Sequence, residues 1–185
     1  MREIRKILLG GDIGRGEESL LLKLANEISL PIFGVRTLMY DDRIDPETGG
    51  AKVYMYPVAV SPETYPDDEN NYVGACTGKT RNINTDVFRN LGMQLLSDIP
   101  AEAVVVIDEI GFFEEDVPEY TNRIFDILKD DHPFLGVIKT RYEDPFLSSV
   151  RHFPTISYYQ VTKENRGSLF AQLAPVVRSW KTENI

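Results

Sequence analysis

The chain has 185 residues, of which 42% are hydrophobic and 26% charged, a size that buries one sizeable core and a balance that excludes disordered and fibrous classes. Asp and Glu outnumber Lys and Arg 29 to 20, for a formal charge of -9, and that field repels polyanions, so neither nucleic acid nor an anionic membrane is an expected partner. No apolar run approaches the ~20 residues needed to span a bilayer; the start MREIRKILLGG shows no signal-peptide pattern and the single cysteine, Cys76, pairs with nothing, so a cytoplasmic location and an ordinary thiol are expected.

Ile4 to Leu9 is a short apolar run ending in Gly10 and Gly11, and from Gly16 the residues Leu20, Leu21, Leu24, Ala25 and Ile28 recur at helical spacing up to Pro31. Strand, glycine-rich turn and helix follow. Ile32 to Met39 and Lys52 to Val60 read as strands on either side of turn chemistry at Asp45, Pro46, Gly49 and Gly50. Ser61 to Arg81 is rich in Pro, Asp, Asn and Gly and reads as a long loop excursion, about 61–83. A helix capped by Asn84 runs to about Leu96, and Ala103 to Ile107 is a continuous apolar run suited to a buried parallel strand. A helix over Pro118 to Lys129, a strand over Phe134 to Lys139, a short helix near Pro145 to Val150, a strand over Thr155 to Val161 and a helix from about Asn165 to Trp180 complete the chain. Strands alternating with helices predict one α/β domain, residues 1–185, in three α/β/α layers around a mainly parallel sheet, with ligands at the C-terminal ends of its strands.

Two motifs carry chemistry. Gly11-Asp12-Ile13-Gly14-Arg15-Gly16-Glu17-Glu18 has the glycine spacing of a Walker A phosphate loop and lies between a strand and a helix. In such a loop backbone N–H groups converge on phosphate, a lysine neutralises the β- and γ-phosphates and the next Ser or Thr holds magnesium. Here Glu17 and Glu18 fill those two positions, Ser19 comes one position late and Arg15 is the nearest cation. A glutamate for that lysine costs roughly several kcal/mol of phosphate affinity. The bland alternative is a glycine-rich turn that binds no phosphate, its first-turn acids favoured by the helix dipole. The second motif, Val104-Val105-Val106-Ile107-Asp108-Glu109, delivers two acids at the end of an apolar strand, the Walker B arrangement. Asp108 is the expected Mg2+ ligand and Glu109 the catalytic residue that polarises water, against the alternative of two hydrophilic residues ending a buried strand.

The segments GGDIGRGEESLLLKL, GVRTLMY, AVVVIDEIGFFE, FLGVIKT and VTKENRGSL, in this order and spacing, resemble the small nucleoside-triphosphatase family known from thermophiles and from the cancer-related NTPase. The resemblance implies a nucleotide-kinase-like P-loop NTPase fold over nearly the whole chain and magnesium-dependent hydrolysis of nucleoside triphosphates. It assigns Asp108 and Glu109 to the metal and water-positioning pair, Gly11, Gly14 and Gly16 to the phosphate loop, and Asn165 with Arg166 to a C-terminal motif beside the nucleotide. The chain departs from the family at Glu17, at Glu18 and at Phe112-Phe113 before Glu114.

The expected nucleotide-binding set is therefore Gly11, Asp12, Ile13, Gly14, Arg15, Gly16, Glu17, Glu18, Ser19, Asn165 and Arg166, with ATP or GTP as ligand. Lys139 and Arg141 follow a strand and could reach nucleotide or simply be solvated. Lys79 and Arg81 could close as a lid, or lie in an ordinary loop. Arg36 and Thr37 sit where substrate-facing residues are expected, with a surface salt bridge as the simpler account. Tyr54, Tyr56, Tyr65 and Tyr72 could stack a base or mark one strand face. His132 and His152 stand without triad or metal spacing. Three functions compete: a nucleotide-binding protein with impaired hydrolysis, an active NTPase or phosphotransferase whose cation has moved to Arg15, Lys79, Lys139 or Arg166, and an interaction module with a protein partner.

Overall fold

A computed structural model describes residues 3–14, 19–77, 81–140 and 144–180, with the side chain of Arg81 left aside. Among these residues eight strands form one sheet in the order β5-β4-β3-β2-β6-β7-β1-β8. The strands are β1 (Lys6–Gly11), β2 (Ile32–Ile44), β3 (Ala51–Pro57), β4 (Tyr72–Cys76), β5 (Arg81–Ile83), β6 (Val104–Ile110), β7 (Phe134–Ile138) and β8 (Ser157–Val161). From β2 to β8 all neighbours are parallel, whereas β3, β4 and β5 add on antiparallel beyond β2. The expected mainly parallel sheet is present.

The inner strands are apolar without alternation because both of their faces are covered. Ile7 and Leu9 of β1, Val104 and Val106 of β6, and Leu135 and Val137 of β7 share one core cluster with helices α1 (Leu20–Ala25) and α6 (Arg166–Ser179). Leu8, Val105, Ile107, Phe134 and Ile138 face the other way, onto α4 (Pro118–Lys129), α5 (Pro145–Arg151) and a helical run. That run is α2 (Thr85–Val87), a π-helical turn over Phe88–Gly92 and α3 (Met93–Leu96), capped as expected by Asn84, whose side chain accepts from the Asp86 N–H. Three layers result, with parallel strands linked by helices.

Two expectations about elements need correction. The helix after the glycine turn is described only from Leu20 and stops at Ala25, well short of Pro31. The stretch read as a loop over about 61–83 contains strands β4 and β5 and a 3-10 turn at Pro62–Thr64. Tyr72-Val-Gly-Ala-Cys carries little hydrophobic alternation, because its small residues serve close strand approach instead. Gly74 has φ +140°, and a Cβ there would stand 2.0 Å from the Asn82 carbonyl oxygen. Gly34 has a similar role in β2, where φ is +137° and a Cβ would meet the Val106 carbonyl at 1.9 Å. No described helix is long and apolar enough to cross a membrane.

Candidate functional site

Parallel strands end on one edge of the sheet, so the chemistry-bearing residues at their C-termini meet there. Gly11 ends β1 with φ +99°, a conformation open to glycine, and a Cβ on it would stand 2.3 Å from Gln160 Nε2. Gly10 is equally enclosed, a Cβ there lying 2.4 Å from the Tyr158 hydroxyl. The chain then turns away: the Asp12 N–H donates to the Val161 carbonyl at 3.0 Å, Ile13 buries its side chain in the α1 cluster, and Gly14 takes φ +89°. Leu20 N–H donates to the Ile13 carbonyl at 2.9 Å, closing the loop onto the start of α1. Ser19 is the N-cap of α1, buried and without a side-chain capping bond. Arg15, Gly16, Glu17 and Glu18, like Lys79 and Arg141, lie outside the described residues.

Among the described residues three ion pairs line this edge. Arg166 NH2 lies 3.0 Å from Asp12 Oδ1, which ties the first turn of α6 to the glycine loop. Asn165 serves the same turn: its Oδ1 accepts the Thr162 N–H at 2.8 Å and its Nδ2 donates to the Gln160 carbonyl at 3.0 Å. The structure thus brings Arg166 to the loop, while Asn165 braces the turn between β8 and α6. Arg36 stands in register with Asp108 across β2 and β6, its Nε 3.3 Å from Asp108 Oδ2. Lys139, directly after β7, reaches Glu109 Oε1 at 2.9 Å, with its ammonium over the rings of Phe112 and Phe113.

Burial pushes the Asp108 carboxyl up to about 6, the Arg36 charge opposing that rise and Glu109 adding to it. Glu114, which the motifs did not single out for a role, is the most altered acid here. It is 3% exposed, accepts the Gly111 N–H at 2.8 Å, and burial pushes it to about 8. Its sequence signal was only its position five residues past Glu109. Tyr158 and Gln160 were also missed; Gly10 and Gly11 announce close neighbours but cannot say which strand supplies them.

Other candidates lie elsewhere. Tyr56 is fully buried and donates to Asp67 Oδ1 at 2.6 Å, and Tyr54 packs between Tyr40 and Tyr72, so this cluster marks a strand face. Tyr65 packs edge-on against Tyr56. The backbone of Arg81 belongs to β5 at the far margin of the sheet. His132 is held by Asp130 and the Pro100 carbonyl, and His152 by the Ser148 carbonyl, both apart from the edge.

Among the described residues no group of three or more His, Cys, Asp or Glu converges as a self-sufficient metal cage. Magnesium shared with phosphates asks for less, one or two carboxylates with water and phosphate oxygens completing an octahedron. Asp108, one carboxylate at the strand end, fits that requirement.

A glycine turn between the first strand and a helix, with an acidic pair ending an inner parallel strand on the same edge, defines the P-loop nucleoside-triphosphatase class. The chain belongs to the NTPase family, whose model matches residues 6–174. It is 24% identical over 177 residues to the nucleoside-triphosphatase THEP1 of Pyrococcus abyssi, covering 94% of this chain and 92% of that protein. The crystal structure of THEP1 from the hyperthermophile Aquifex aeolicus superposes with a TM-score of 0.65 at 19% identity, covering 93% of this chain and 98% of that one, and shares its α/β P-loop fold.

Proposed function

We propose that this member of the NTPase family binds a nucleoside triphosphate, ATP or GTP, with magnesium at the C-terminal edge of the sheet, and hydrolyses it slowly. The observation that carries the reading is the common edge itself, where Gly11, Asp108, Glu109 and three cations come together from five parallel strands and their following turns. Asp108 would hold magnesium, which supplies charge neutralisation between phosphate oxygens. Glu109 would orient water once Lys139 yields it, and Gly11 and Gly14 would let loop N–H groups face phosphate. Slow turnover follows from Glu17 and Glu18, which replace a phosphate-neutralising cation and a metal-binding hydroxyl with two negative charges.

A second reading, full hydrolysis with a relocated cation, is favoured by the position of Lys139, 2.9 Å from Glu109. Calorimetric titration and phosphate release, measured on wild type and on Glu17→Lys/Glu18→Thr with ATP or GTP and magnesium, separate the two. The expected result is binding by both proteins, tighter in the double variant, with turnover rising by an order of magnitude or more as the missing charge returns. Turnover by wild type at the ~1–100 per second of phosphoryl-transfer enzymes, abolished in Glu109→Gln, would instead establish the second reading.

A further inference from the structure

We propose that Arg36 is a phosphate-binding residue, supplying from β2 the positive charge toward the terminal phosphate that position 17 has no lysine to supply. This rests on the reading of the edge as a triphosphate site.

Residues directly opposite in a parallel pair point to the same face, and side chains alternate along each strand. Val104 and Val106 of β6 pack with α1, so Asp108 and its register partner Arg36 belong to the α1 face, where the glycine loop enters its helix. The side chain of Arg36 is only 18% exposed, and its buried Nε lacks an aligned acceptor although Asp108 stands 3.3 Å away. Among the described residues the guanidinium pairs with Asp108, which leaves most of its five N–H donors for a ligand. Lys139 and Arg166 pair likewise with Glu109 and Asp12, but from β7 and the turn after β8, on the other side of β6 from β2. A planar fork with donors to spare, mostly buried beside the acid expected to carry magnesium, is suited to a phosphate that shares that metal.

The test is calorimetric titration of the full chain with magnesium and nucleoside tri- or diphosphate, for wild type, Arg36→Gln and Arg36→Lys, with each thermal midpoint measured without ligand. Arg36→Gln is expected to weaken triphosphate binding ~10–100-fold while leaving diphosphate binding unchanged, as loss of one charged bidentate contact implies. Arg36→Lys, which keeps the charge and loses the fork, should recover part of the loss. Triphosphate affinity equal to or above wild type in Arg36→Gln would overturn the proposal and leave Arg36 as a counter-ion to Asp108. Parallel loss of both ligands with a lower midpoint would overturn it too, as a structural effect. Wild type binding neither nucleotide would remove the triphosphate site itself, and the proposal with it.

Discussion

Glu114 illustrates how much one buried acid can make stability depend on pH. Its ordinary value is 4.5, and burial raises it to about 8 against the opposing pull of the Gly111 N–H, with Glu109 adding to the rise and Lys139 opposing it. Between those values the folded chain holds a proton that the unfolded chain releases, so stability falls as pH rises through the window from about 4.5 to 8. Asp108 acts with the same sign between 3.8 and about 6. Glu114→Gln keeps an acceptor for Gly111 and removes the titration, so urea unfolding at pH 5 and pH 8 should show a smaller loss of stability in the variant than in wild type. Equal losses in the two proteins would refute the assignment. At this scale the sequence displayed Asp108 and Glu109 plainly, since two acids ending an apolar run are conspicuous. The pairing of Asp108 with Arg36 was not visible, because it depends on the register between strands 72 positions apart in number, which no local pattern encodes.

Elements buried on both faces were legible, as was the edge strand β8, whereas β4 and β5 at the other margin were not. β1, β6 and β7 stand out as apolar runs because helices cover them above and below. β4 and β5 gain their conformation from the neighbouring β3 and from glycine-permitted close approach, which explains why Gly74 and its flanks resembled loop. The end of α6 is anchored by a different device. Trp180 is almost fully buried, and its Nε1 donates to the Ile4 carbonyl at 2.9 Å, fastening the chain just past α6 to the approach to β1. Trp180→Ala should therefore cost about 3–5 kcal/mol, the usual price of emptying so large a core site, read as a lower urea midpoint at unchanged slope. A loss under about 1 kcal/mol would mean that the site collapses around the gap.

For the molecule as a whole, the strand order matters more than any one residue. β7 stands between β1, which leads into the glycine loop, and β6, which carries Asp108 and Glu109. Two inter-strand spacings, about 9.5 Å, separate the two halves of the edge, with Lys139 above the strand between them. The alternation of strands and helices made a layered sheet readable from the sequence, but this order was not, because strands far apart in the chain become neighbours only through core packing. With a nucleotide bound as proposed, the sheet edge would work as a caliper: a ligand gripping both jaws must carry enough phosphates to bridge the gap. Affinity should thus climb steeply from nucleoside monophosphate to triphosphate, whereas a flat series by calorimetry would mean that only one jaw holds its ligand.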